Sequence, residues 1–466
     1  MISGIAKAAA DELWGFLPGR DIKIVHLTNG LLRAISGGHP KLPRLLGDVA
    51  ATHAGRERLK ETTRRSAAQL LDDDRLQDIL LGDSVPALLD ELRVALDAVL
   101  NQDGAFYAGS TSTPTLTHWR HLTTDPSDNE AGALIASILL ADPNQAAAVA
   151  LRKALNDNSD ATYQLTQPLL PTGQEPMPAL PPVSEIGNML EKSETLRSLQ
   201  QAFGRLAAHS ERLGKLELLA RAGRLAGLGL WMHMLNAGGG VRRQPLLVCG
   251  PDEHLRDVRM TSHRGLALAQ RQLRRHFREA LYAQLQAGGR AELTADDYRA
   301  WVNEVHPNHR ERFLLELEQQ LEAGLEPGWA VSGALVTPAL LAIRGESYGA
   351  DKLVKDLGRR LGLWPRYSGR TGHHLKPVAA IYDALVPALL SPGETMRYRE
   401  FWQRAADEFG LVCGARGSTD MEVLKKAGMS GLTPAQLAQN AHSVLRELSR
   451  QGYARTYADG EALIIA

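Results

Sequence analysis

Leucine and alanine recur every three or four residues through much of this chain, and that spacing predicts helices. In SVPALLDELRVALDAVL, Leu88, Leu89, Leu92, Ala95, Leu96 and Leu100 fall near one face, with the acidic residues off it. NEAGALIASILLADPNQAAAVALRKAL carries the same pattern and reads as two helices broken at Asp142-Pro143. Residues 1–156 therefore read as an N-terminal helical domain. Two short apolar runs, DIKIVHL and GAFYAGS, have strand character but are too few to found a sheet.

The pattern stops at 157–183, where Pro168, Pro171, Pro176, Pro178, Pro181 and Pro182 remove any helical period. Extended, polyproline-like backbone follows, either as a linker between domains or as a strap laid over a surface. Helical spacing returns over 184–392, a central domain. Glycines and a shifting register there predict several packed helices rather than one coiled coil. Leu246 to Cys249 reads as a short strand, TSHRGLALAQRQLRRHFREALYAQLQAGG as a helix, and Thr294 as the N-cap of another. No unit of 20 to 50 residues repeats along the chain.

The last stretch, residues 393–466, has the clearest punctuation. Thr433 and Pro434 open a helix in which Leu437, Ala441, Val444, Leu445 and Leu448 share one face, and Gly452 ends it. YARTY and EALIIA then flank Asp459-Gly460, a hairpin turn signal. Upstream, MRYREFWQRAADEFG reads as a helix with Phe401, Ala405 and Phe409 inward. STDMEVLKKAGM reads as a shorter one capped near Ser418 or Thr419. This element order resembles a winged-helix domain, in which the hairpin is the wing. The resemblance covers about 394–466 and rests on no invariant motif.

It implies a third helix that meets the major groove with its polar residues. Here those residues are Gln436, Gln439, Asn440, Ser443, Arg446 and Arg450, with Arg455 on the wing. Glu447 stands beside Arg446, and winged helices also serve as protein-docking modules, so both uses stay open.

Composition narrows the partners little. Lys plus Arg and Asp plus Glu both total 53 in 466 residues, so the net charge is zero and any argument for a polyanion must be local. Two stretches supply one. Residues 242–290 carry ten Arg against four acids, and Arg271, Arg274, Arg275 and Arg278 form a stripe at i, i+3, i+4 and i+7. Such a stripe suits phosphates, and equally suits carboxylates on acidic helices such as ERFLLELEQQLEAGLE. In residues 351–377, seven Lys/Arg against two Asp surround Trp364 and Tyr367, so Arg366 and Arg370 are candidates for phosphate contact with aromatic stacking beside them. An irregular connector anchored by Trp364 explains that stretch as well.

Catalytic and metal motifs are weaker. GESYG matches a nucleophile elbow at Ser347, with Asp383 and His442 as nominal partners, but VTPALLAIRG before it reads as helix and not as the strand that elbow needs. His306 and His309 flank a proline turn near Glu304, and His373-His374 has no companion ligands; exposed loop histidines are the plainer reading. GGG at 238–240 does not complete a dinucleotide fingerprint, and no phosphate-binding loop motif occurs. Cys249 and Cys413 cannot make a disulfide framework. The N-terminus does not resemble a signal peptide, and no run approaches the roughly 20 apolar residues of a membrane span.

The expectation is a mainly α, multidomain, cytoplasmic protein with a C-terminal winged-helix module, no cofactor, no metal and no membrane partner. Its role would be non-catalytic: a DNA-binding adaptor or scaffold that also contacts other protein subunits. The Ala/Leu/Arg-rich style looks bacterial, and analogy of architecture points to DNA-transaction or antiviral-defence assemblies. The alternatives are a docking scaffold whose winged helix holds partner subunits, and a serine hydrolase using Ser347.

Overall fold

The computed structural model describes residues 2–19, 22–37, 118–119, 122, 128–159, 163, 176–182, 188–238, 243–252, 254–287, 294–305, 307–323, 331–338, 350–364, 373–458 and 461–466. The expected helix over Leu88–Leu100, the GAFYAGS run, Ser347 with its GESYG motif, and Arg366, Tyr367 and Arg370 lie outside these residues. The described chain is mainly helical.

Helix α1 (Ile2–Trp14) is followed by α2 (Ile24–Ile35), so residues 24–27 of the DIKIVHL run are helix and not strand. A short apolar run has no decisive period. Here Ile24, Leu27, Leu31, Leu32 and Ile35 are all buried along one helix. Helices α3 (Ala131–Leu140) and α4 (Ala146–Leu155) flank the Asp142-Pro143 break as the sequence predicts. Helix α3 crosses α2 with no room for side chains: a Cβ on Gly132 would stand 2.4 Å from the Leu31 nitrogen. Asp128 sits in the same crossing and accepts the Gly132 N–H at 2.9 Å.

The described part of the Pro-rich segment, 176–182, is neither helix nor strand. Arg152 of α4 ties it down, donating to the Ile35 carbonyl at 2.6 Å and also to that of Pro178. Met177 and Leu180 pack on the core.

The central helices divide as α5 (Asn188–Lys192), α6 (Glu194–Ala208) and α7 (Lys215–Asn236). From Leu225 to Leu235 every residue of α7 is buried, because α7 is the hub: α2, α3, α4 and α6 all pack on it. The 31-residue helix α8 (Arg256–Gln286) instead has one apolar face, from Val258 through Leu266 and Leu273 to Leu285. It packs on α1, where Trp14 meets Phe277 at 5.0 Å between ring centroids. Thr294 caps α9 (Ala295–Ala300) in a capping box with Asp297, and α10 (Arg310–Ala323) follows. Helices α11 (Ala350–Leu361) and α12 (Ala379–Leu389) close over α7, and the Trp231 indole donates to the Val354 carbonyl at 3.0 Å.

The C-terminal elements run β2 (Thr395–Arg397), α13 (Tyr398–Phe409), β3 (Leu411–Val412), α14 (Ser418–Lys426), α15 (Pro434–Arg450), β4 (Ala454–Thr456) and β5 (Ala462–Ile465). Phe401, Ala405 and Phe409 point inward as expected. The hairpin strands β4 and β5 pair antiparallel, and β2 joins the other edge of β5, giving the order β2-β5-β4. Strand β3 leaves this sheet and pairs in parallel with β1 (Leu246–Leu247), 165 residues earlier in register.

That pairing makes the C-terminal segment share the core of the central helices. One apolar cluster runs from Ile5 in α1 to Ile464 in β5. Arg205 of α6 binds Glu408 of α13, and the His209 ring donates to the Leu390 carbonyl at 2.9 Å. A smaller cluster, including Leu247, Val258, Val412, Leu424 and Leu437, fills the other face of the β1–β3 pair. Cys249 belongs to this second cluster and Cys413 to the first, so the two thiols lie on opposite faces of the strand pair and both are free.

Candidate nucleic-acid interface

Helix α15 starts where its sequence says it should. The Thr433 hydroxyl accepts the Gln436 N–H at 3.2 Å, and the Gln436 side-chain oxygen accepts the Thr433 N–H at 2.9 Å. The amide nitrogen of Gln436 donates to Asp257 at 2.6 Å, in the first turn of α8. Both ends of this side chain are thus committed within the chain.

Two further expected readers face inward. Asn440 and Ser443 are fully buried against the segment that follows β1. The Asn440 amide donates to the carbonyls of Val248 and Cys413, each at 2.8 Å, and accepts the Gly250 N–H at 2.9 Å. Ser443 accepts the Asp252 N–H at 3.2 Å. The expectation that both lie on the outer face is therefore wrong. The physical reason is a second partner: α15 joins the two apolar clusters through Leu437, Val444 and Leu448, and packs on the 248–252 loop through the flank holding Asn440 and Ser443. The signal was present, since Asn440 stands three residues after Leu437 and four before Val444.

The remaining candidates on this module are exposed: Gln439, Arg446, Arg450 and Arg455. Arg446 binds Asp252, and Arg450 reaches Glu447 at 3.4 Å. His442 shares their face of α15. Beside it runs a groove of about 350 Å³ between α15, β2 and the 414–417 loop, lined by Arg397, Arg399, His442 and Glu461. Its floor depends on a close approach that only glycine permits. Gly414 has φ +100°, and a Cβ there would stand 2.4 Å from the Leu437 carbonyl. Sequence reading missed Arg397 and Arg399, because the β2–β5 pairing that brings them beside α15 joins positions 66 to 70 residues apart. Arg397 lies 3.7 Å from Glu461 across that pairing.

The arginine stripe forms on α8 as predicted, but its partners differ from those expected. Arg274 binds Asp351 of α11 at 2.5 Å, and Arg275 binds Glu279 of its own helix at 2.8 Å. The acidic helix α10 instead engages Arg299, whose guanidinium meets Glu318 at 2.6 Å. Arg271 is exposed, and Arg278 half-buried.

Trp364 is not available for stacking with a base. It is buried over Gly358, 6.2 Å from Trp231 and 5.3 Å from His373 between ring centroids. His374 is buried too, contrary to its expected exposure, whereas His373 is exposed. Among the described residues no three metal-ligating side chains come together, and no helix is long and apolar enough to cross a membrane.

The described residues define a mainly helical protein with several exposed arginines on its C-terminal elements. Comparison of the chain with family models, with curated proteins and with solved structures finds no match.

Proposed function

We propose that this protein is a DNA-binding adaptor whose contact face lies on a winged-helix-like C-terminal module. The observation that carries the reading is the outer face of α15, where Gln439, His442, Arg446 and Arg450 are exposed, with Arg399 on the adjoining groove and Arg455 exposed on the hairpin. The ion pairs of Arg446 and Arg450 are surface pairs, with the guanidinium side chains 65% and 76% exposed. Such pairs contribute at most about 1 kcal/mol, so phosphate oxygens can replace the carboxylates at little cost.

The occupied amides of Gln436 and Asn440 limit what this face reads. With two of the three amides that could pair with adenine held inside the chain and only Gln439 left exposed, contact rests mainly on the phosphate backbone and gives affinity with weak sequence selectivity. Arg271 and its neighbours on α8 are a second, separate footprint in the same reading. A protein-docking role is the competing one. It draws support from the same internal commitments, because a helix packed along one flank presents a fixed surface better suited to a folded partner than to a groove.

Fluorescence anisotropy with labelled duplex and single-stranded DNA tests the proposal on the whole chain. Arg446→Glu/Arg450→Glu/Arg455→Glu should weaken binding by tenfold or more, with wild-type log K falling by about 0.9 per phosphate contact against log salt. Arg271→Glu reports on the α8 stripe separately. Absence of binding by the folded wild-type protein at low salt would overturn the DNA reading and leave docking of protein subunits.

A further inference from the structure

A second site lies far from α15 in sequence, where α1, α6, α7 and α8 meet around a cavity of about 540 Å³. Two of its lining residues make a pair that neither helix packing nor capping requires. The Ser193 hydroxyl stands 3.1 Å from Nδ1 of His233, and Nε2 of the same ring stands 3.1 Å from the Trp14 carbonyl.

These two distances fix the protons. A carbonyl only accepts, so Nε2 carries the ring hydrogen and donates it to Trp14. Nδ1 is then a bare lone pair, and the Ser193 hydroxyl donates to it. The ring is buried, which pushes its pKa down to about 4 and keeps it neutral at ordinary pH.

Ser193 is half-buried and lines the cavity. It is also the N-cap of α6, so its oxygen accepts the Leu196 N–H at 3.3 Å. The first N–H groups of a helix have no intrahelical acceptor. Those of Glu194 and Thr195 belong to this first turn, at the positive end of a 15-residue helix dipole. A hydroxyl held by a neutral imidazole, with helix N–H groups next to it, is the arrangement that activates a serine and receives a developing oxyanion.

We propose that Ser193 and His233 form a nucleophile–base pair that cleaves a small acyl ester in this cavity. The Ser193 oxygen bonds to the acyl carbon while its proton passes to Nδ1 of His233. The ester C–O bond breaks, and the departing alcohol takes that proton. Water then attacks the acyl-serine by the same route, releasing the carboxylic acid and restoring the hydroxyl. The Trp14 carbonyl positions the ring. The walls balance Glu12, Glu191 and Glu194 against Lys192, Arg197 and Arg243, which suits an uncharged or zwitterionic substrate.

The test is a reporter-bearing fluorophosphonate applied to the whole native chain, with labelled peptides mapped by mass spectrometry. Phosphonylation of Ser193 with loss of fluoride, at least tenfold faster than in heat-denatured chain, is the expected result. Ser193→Asn keeps a helix-capping oxygen and an N–H that can donate to Nδ1 of His233 but has no nucleophilic hydroxyl, and it should lose that label with its melting transition retained. The proposal is overturned if Ser193 in the folded protein stays unlabelled while trypsin in the same tube reacts. Equal labelling of native and denatured chain, or labelling confined to another serine such as Ser347, overturns it too.

Discussion

Asn440 on α15 donates to the carbonyl of Val248, 192 residues away in sequence, at 2.8 Å. The same amide also serves Cys413 and Gly250. One side chain thus locks the C-terminal helix onto the ends of both β1 and β3.

Replacing Asn440 with alanine leaves a buried N–H and two buried carbonyls without that partner. The expected cost is about 3 kcal/mol, read as a lower urea midpoint, since each stranded group costs about 1–3 kcal/mol. Gln439→Ala, on the exposed face, should leave the midpoint where it is. Equal behaviour of the two variants would mean that the Asn440 bonds contribute nothing.

The buried pair Arg416–Asp420 holds the 414–417 loop that walls the groove. Asp420 accepts from the Arg416 guanidinium at 2.5 Å and from the N–H of Gly414 at 2.9 Å. Asp420→Ala should destabilise the protein by about 3–5 kcal/mol, because it strands a buried guanidinium. Arg416→Met/Asp420→Leu should recover part of that loss. A double-mutant cycle from unfolding curves measures the recovery, and a double variant no more stable than Asp420→Ala would contradict it.

His233 makes stability depend on acid. Its ordinary pKa of 6.5 falls to about 4 in the fold, chiefly through burial. Between those values the unfolded chain binds a proton that the native chain refuses, so stability is complete above pH 6.5 and is lost as pH falls toward 4. The contribution is about 3 kcal/mol. Unfolding free energies of wild type and His233→Gln, compared between pH 7 and pH 4.5, should show a shallower slope in the variant. Parallel slopes would refute the assignment.

Burial pushes the Cys249 thiol up to about 12 from an ordinary 9.0, and raises Cys413 as well. Neither should react with a disulfide reagent in the native protein at pH 8 on the timescale of minutes, whereas both should react at once in denaturant. The linkage runs opposite to that of His233. Above pH 9 the unfolded thiols ionise first, so stability falls with rising pH toward 12. Rapid native-state labelling at either position would show that the strand pair opens locally.

Local order was legible in the residues themselves. Thr433 with Pro434 marked the start of α15, Thr294 the start of α9, and Asp142-Pro143 the break between α3 and α4. Each depends on atoms within a few residues: a hydroxyl facing the N–H three residues on, or a ring that cannot continue a helix. Where a run was short and apolar, as in DIKIVHL, the choice between strand and helix passed to packing, and burial on several sides made α2 a helix.

Tertiary structure decided which faces are free. Leu411 pairs with Leu246 and Arg397 with Leu463, and neither register leaves a trace in the spacing of nearby residues. Those pairings turned Asn440 and Ser443 inward and brought Arg397 beside α15, while packing of α11 against Trp231 of α7 buried Trp364 where a solvent-facing ring was one reading. The Ser193–His233 pair arises the same way, from two helices whose capping and apolar patterns say nothing of each other. A sequence carries the period of a helix because that period is local; which flank meets a second element depends on distant residues competing to leave water.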